Sequence, residues 1–283
     1  MEGQPDMEPS MNDRHQKQSD VQKPSASANI EPPMNDRYQK ILQGMNLPRG
    51  LAAEFIGVFT LMFITGGTVI VTGGDNLVAA ALANGIVITV MIATLFHVSG
   101  AQFNPAVSIA VTLLGKQSWS RCICFILAQL AGATFAAWLL WATLLGVMDA
   151  PVVGGDTAIE HVGLTVGLFS DLDQLGIADS GWRVMVLELI AAFFLMFVIM
   201  GVIVDRRSGH DTPVLMAIPV GLIVAGDIIC FGPLTGASMN PARSFGPAFV
   251  LDYWHLQWAY WVGPILGAAL AAWCYQAVIG RSE

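Results

Sequence analysis

Charge is scarce in this chain: Asp, Glu, Lys and Arg make up 12% of its residues, where soluble domains carry about 25%. With 54% apolar residues and a mean hydropathy of +0.60, that scarcity excludes an ordinary soluble globular enzyme. Basic residues are few and dispersed, 13 Lys and Arg against 21 Asp and Glu, so no basic face for nucleic acid exists. Cysteine is sparse too. Cys122, Cys124, Cys230 and Cys274 sit in or beside apolar segments without zinc-type spacing or a disulfide framework, which leaves packing as their role. No nucleophile with a base, and no group of metal ligands, is recognisable, so neither an enzyme nor a bound cofactor is expected. The polar N-terminus lacks an apolar core before a small-residue cleavage site; no cleaved signal peptide is expected, and the first membrane segment should direct insertion.

Long apolar runs are abundant. Six segments, near 50–72, 77–97, 120–146, 183–204, 213–231 and 257–280, each approach the 20 or so residues that a helix needs to cross lipid. Two shorter runs, 105–114 and 241–250, would reach only about 15 Å as helices, half the membrane. Residues 1–48 are polar and contain a near-duplicate, Glu8-Pro9-Ser10-Met11-Asn12-Asp13-Arg14-His15-Gln16-Lys17 against Glu31-Pro32-Pro33-Met34-Asn35-Asp36-Arg37-Tyr38-Gln39-Lys40. So few apolar side chains cannot bury a core, so this stretch is expected to be a disordered cytoplasmic tail whose removal leaves permeation intact. Residues 49–283 form the membrane domain. The net charge of −8 comes largely from acids in the tail and in the loop at 147–182, read as solvated surface.

Eleven of the thirteen basic residues fall on the face that also holds both termini; only Arg183 and Arg243 fall on the other. That asymmetry predicts cytoplasmic termini and a non-cytoplasmic acidic loop, with no preference between plasma membrane and a vacuolar or other organelle membrane.

An internal repeat sets the architecture. Glu54 and its apolar neighbours recur at Glu188, 134 positions on; Ser99-Gly100-Ala101-Gln102-Phe103-Asn104-Pro105-Ala106 recurs as Thr235-Gly236-Ala237-Ser238-Met239-Asn240-Pro241-Ala242, offset by 136; Gly132 and Gly267 are 135 apart. Each repeat, 50–146 and 183–280, holds three spans, an odd number, so the second must enter from the opposite face. The predicted fold is an all-α membrane protein of six transmembrane helices and two half-membrane helices in two inverted repeats.

Each half-membrane run begins with Asn-Pro-Ala, a favoured cap followed by the residue best tolerated at a first helical position. Inversion brings these two starts together near the midplane, where irregular backbone survives only if it is buried in protein or lines a watery cavity. Two helix N-termini there oppose cations and protons and are indifferent to neutral solutes. Asn104 and Asn240 offer amide donors, and the backbones of Gly100, Ala101, Gln102, Gly236, Ala237 and Ser238 offer carbonyl acceptors. Arg243, one turn past Asn240, adds a fixed cation. Glu54 and Glu188 are expected to face inward and accept hydrogen bonds from the half-helix loops.

On both Asn-Pro-Ala boxes and the run Asn240-Pro241-Ala242-Arg243-Ser244-Phe245-Gly246-Pro247, residues 50–280 resemble the aquaporin, or major intrinsic protein, family. The resemblance implies a homotetramer in the lipid bilayer with one pore per subunit, passing water and small neutral solutes such as ammonia, hydrogen peroxide, urea or glycerol. It also implies a selectivity filter at Asn84, Ile228, Ala237 and Arg243. That set has neither an aromatic residue nor His, which implies a wide opening with one polar wall. Asp227-Ile228 and Tyr260-Trp261-Val262-Gly263-Pro264 resemble the tonoplast-type and ammonia-permeable branch. Asp227 is expected to bond to backbone, and His97 either to brace the first loop or to line the cytoplasmic mouth. A coupled secondary transporter is the rival reading, since inverted repeats and broken helices occur there as well.

Overall fold

In the computed structural model, residues 36–74, 76–145, 181–205, 207 and 212–279 are described; most of the tail and of the acidic loop lies outside them. Nine α-helices run through these residues: α1 Asp36–Gly44, α2 Leu47–Val71, α3 Leu77–Ser99, α4 Pro105–Leu113, α5 Trp119–Leu140, α6 Gly181–Ile199, α7 Pro213–Thr235, α8 Pro241–Val250 and α9 Ala259–Cys274. Short π-helical turns extend α5, α6 and α9. Six helices are long and apolar enough to cross a membrane, and all six predicted spans coincide with them. The two short runs are α4 and α8, of 9 and 10 residues.

The helix starts follow local chemistry. Asn46, Asn76, Ser118 and Thr212 each accept a hydrogen bond from a backbone N–H of the first turn, satisfying donors that a helix start otherwise leaves open. At their other ends α3 and α7 both stop on a left-handed glycine, Gly100 at φ 83° and Gly236 at φ 80°, the conformation that glycine adopts without a Cβ clash.

Packing repeats with the sequence. Within the first half α2 packs on α3 and α5; within the second, α6 packs on α7 and α9, while α3 and α7 cross between the halves. Close approach depends on small residues. A Cβ on Gly132 would lie 2.4 Å from the Phe55 carbonyl oxygen, and one on Gly267 would lie 2.1 Å from that of Leu189; these are equivalent contacts in the two repeats. The half-helix α4 rests on α5 and α9, and α8 rests on α5, so each is enclosed by spanning helices.

One departure from the sequence reading is α1. Residues 36–44, assigned to a tail without structure, are helical, and Tyr38 and Leu42 are buried at 2% and 0% exposure. The apolar residues Tyr38, Ile41, Leu42 and Met45 stand at positions i, i+3, i+4 and i+7, the stripe of an amphipathic helix. Nine residues do not hold a helix in water by themselves; contact with α3 holds this one.

Candidate pore and its constriction

A cavity of about 50 Å³ lies between the two repeats, lined by residues of both, with room for a few waters. Of the residues singled out from the sequence, Asn84, Gly100, Ala101, Gln102, Asn104, Ser238, Asn240 and Arg243 line it. Pro105, Ala106, Gly236, Pro241, Ala242, Ile228 and Ala237 are not among its lining residues; Ile228 is 2% exposed and Ala237 is fully buried. The opposite wall is aliphatic and includes Ile88, Ile92, Leu195, Ile199, Val220 and Val224. Sequence reading missed this wall, although the pairs 88/92, 195/199 and 220/224 follow helical i, i+4 spacing. Apart from Asn84, one turn before Ile88 on the same face of α3, this wall carries no hydrogen-bonding side chain, whereas the loop side carries many.

The polar side is built twice. Asn104 Oδ1 accepts from Ala106 N–H at 2.9 Å, and Asn240 Oδ1 from Ala242 N–H at 3.0 Å, so each amide caps its own half-helix. Asn104 Nδ2 donates to the Met239 carbonyl and Asn240 Nδ2 donates to that of Phe103, both at 2.8 Å. These reciprocal bonds seam α4 to α8. An amide nitrogen carries two hydrogens; one is used in the seam, and the second remains for the cavity that both residues line.

The loops before each box are strained in matching places. Ala101 and Phe103 have φ of 51° and 50°, and Ala237 and Met239 have 44° and 54°, a region that costs a non-glycine residue about 1–3 kcal/mol. Buried glutamates hold them there. Glu54 accepts from Ser99 Oγ, Gln102 N–H, Phe103 N–H and Gln129 Nε2 at 2.6–3.0 Å. Glu188 accepts from Thr235 Oγ1, Ser238 N–H and Met239 N–H at 2.7–2.9 Å. With their N–H groups turned toward a carboxyl, the loop residues are free to direct carbonyls elsewhere, as a pore requires. Tyr260, whose hydroxyl donates to the Thr235 carbonyl at 2.7 Å, is a further brace.

Arg243 is 3% exposed and lines the cavity. Its Nη1 donates to the carbonyls of Gly236 at 3.2 Å and Ala237 at 3.3 Å, while Nε is buried without a partner. Asn84 donates to the Ala80 carbonyl at 3.0 Å through its amide nitrogen, which leaves its oxygen as an acceptor. Asp227 does not make the expected backbone bond: it is 3% exposed and its Oδ2 has no partner. His97 is exposed and is not among the cavity residues.

At the far end of the cavity from Arg243, Gln102 donates to Gln117 Oε1 at 3.0 Å and to the Tyr38 hydroxyl at 3.4 Å. Burial pushes the Tyr38 phenol up from its ordinary range, so it stays neutral at physiological pH. Outside the spans, Asp205 accepts from Arg207 and from Tyr275, and Arg207 also donates to the Ile279 carbonyl at 2.7 Å. The Arg207 guanidinium holds the Asp205 carboxyl below the usual carboxylate range. This latch joins the ends of α6 and α9. Among the described residues no group of three or more His, Cys, Asp or Glu side chains could hold a metal ion.

Comparison with known proteins agrees with this geometry. The family model "Major intrinsic protein" matches residues 42–275. Aquaporin TIP4-4 of Zea mays is 36% identical over 241 residues, 81% of this chain and 86% of its own length. Aquaporin NIP3-1 of Arabidopsis thaliana is 38% identical over 238 residues, 83% of this chain and 68% of its own. The relatives thus include both TIP and NIP aquaporins, and the tonoplast-type branch is one of several. The X-ray structure of the aquaglyceroporin from Plasmodium falciparum shares the fold, with a TM-score of 0.72 over 83% of this chain and 97% of that one at 24% identity. Six spanning helices, two half-helices seamed at their asparagine caps and a family match over most of the chain lead to one assignment: the protein belongs to the major intrinsic protein family, as a multi-pass membrane channel and not an enzyme.

Proposed function

We propose that the chain passes water and small neutral solutes in single file and excludes protons and ions. The observation that carries this reading is the reciprocal seam of Asn104 to the Met239 carbonyl and Asn240 to the Phe103 carbonyl. The seam brings together two helix N-termini, each worth about half a positive charge, beside the cavity that both asparagines line. A passing water accepts from an asparagine and donates to a loop carbonyl, while a cation meets positive ends from both sides. Coupled transport has no support in the family assignment. In proteoliposomes, stopped-flow light scattering is expected to show water flux with a low activation energy, from the full chain or from a version lacking residues 1–44. Flux no faster than bare lipid from both would refute the reading.

The proposed constriction is Asn84, Ile228, Ala237 and Arg243, with Asn84 and Arg243 at the cavity surface and the other two setting its width from behind. Asn84→Phe is expected to cut urea or glycerol flux about tenfold while water falls by less than about half, because an added ring occupies space that only the larger solute needs. An equal loss of both would place the constriction elsewhere. Cytoplasmic termini are supported by the basic residues gathered at one end, where Arg121 meets α1. Homotetrameric assembly is part of the same proposal, and native mass spectrometry in detergent checks it.

A further inference from the structure

The N-terminal helix is placed where a permeating molecule would have to pass. Tyr38 lines the same cavity as Asn104 and Arg243 and is 2% exposed. Its hydroxyl accepts from Gln102 Nε2 at 3.4 Å, and the other hydrogen of that amide is committed to Gln117 Oε1 at 3.0 Å. Both donors of Gln102 are therefore used inside the protein, and the phenol oxygen occupies the position from which a water would accept the first of them.

The seat fits the ring. Tyr38 stacks on Phe96 with centroids 5.8 Å apart and planes 20° from parallel, and a Cβ on Gly100 would come within 2.8 Å of the Tyr38 ring. A tether holds the other end of the helix: Arg121 Nη1 donates to the Leu42 carbonyl, a cation at a helix C-terminus, where the dipole favours it. Only Met45 and Asn46 separate α1 from α2, a short hinge. A helix of nine residues is not stable undocked, so the element has two states, docked and released.

We propose that α1 is a tethered plug that closes the cytoplasmic mouth of the pore with the Tyr38 ring, and that conduction requires its release. This rests on the conduction reading above and reverses the expectation that the N-terminal segment is dispensable to permeation. It makes the docked arrangement a closed channel. Any agent that competes for the Arg121 guanidinium, an anionic lipid headgroup for instance, would act as an opener.

The test is unit water permeability of the full chain in proteoliposomes, normalised to the amount of protein inserted. Tyr38→Ala is expected to raise it at least fivefold. Arg121→Gln, which cuts the tether and leaves the ring's seat intact, is expected to raise it in the same direction and to speed tryptic cleavage at Lys40. Tyr38→Phe keeps the ring and loses one hydrogen bond, so its rise should stay below twofold. If the full chain and every variant conduct at one high rate, the plug is wrong and the conduction reading stands. If all of them and the chain lacking residues 1–44 are no faster than bare lipid, the conduction reading fails and the plug fails with it; if only the shortened chain conducts, the Tyr38 plug is wrong and the conduction reading stands. Unchanged cleavage at Lys40 in Arg121→Gln would also overturn the tether.

Discussion

Arg243→Val is expected to raise proton and cation leak through the channel by about two orders of magnitude while water flux changes by less than about threefold. A unit charge about 6 Å from a passing ion, at an effective dielectric constant near 20, contributes roughly 3 kcal/mol of barrier, and each 1.4 kcal/mol is about a factor of ten. Water carries no net charge and does not meet that term. The guanidinium is held in place by the Gly236 and Ala237 carbonyls, so its removal also frees two acceptors and the volume of a long side chain beside the cavity. Neutral solutes larger than water should then pass faster. Leak is read from a pH-sensitive dye trapped in liposomes under an imposed potential. An unchanged leak would assign the whole barrier to the paired N-termini of α4 and α8, which the substitution leaves intact.

Replacing Glu54 by Leu is expected to cost about 3–5 kcal/mol, the scale for removing one partner from a buried charged network. Four donors point at this carboxyl, those of Ser99, Gln102, Phe103 and Gln129, and each buried donor left without an acceptor costs about 1–3 kcal/mol. The loop would relax in part, since Ala101 and Phe103 would no longer be held at positive φ, which is why the sum is not reached. In a detergent melt the midpoint should fall by about 10 °C. Glu188→Leu strands three donors and should cost somewhat less. Glu54→Gln should fall between, since its single oxygen serves one pair of donors while its NH2 faces the other. A melt of Glu54→Leu matching the unaltered protein would show that the loop is held by packing alone.

Much of this site was legible before any coordinates. Asn104-Pro105 and Asn240-Pro241 announce helix starts through chemistry confined to four consecutive residues, and α4 and α8 begin there. The inward glutamates followed from the cost of a lone carboxyl in lipid. Three features were hidden. The aliphatic wall of Ile88, Leu195 and Val224 resembles any other face of a spanning helix, because lipid and protein interior are both apolar and the usual contrast between buried and exposed faces is lost. Asp227 was expected to find a backbone partner, and its Oδ2 has none. Helix α1 had a visible stripe of Tyr38, Ile41, Leu42 and Met45, but the polar composition of the first 48 residues outweighed it.

The sequence by itself determined the six spans, the two half-helices and the inversion that makes them meet, since span length answers to the thickness of the hydrocarbon, caps to adjacent residues, and inversion to the parity of three. Tertiary structure alone decided which helix faces border the cavity, that Arg243 is held by two carbonyls of its own loop, and that Tyr38 lines the cavity. Those outcomes depend on contacts between residues as far apart as Asn104 and Met239, 135 positions along the chain, or Tyr38 and Gln102, 64 positions apart. No local pattern encodes such pairs, because each exists only once the whole bundle has closed around it.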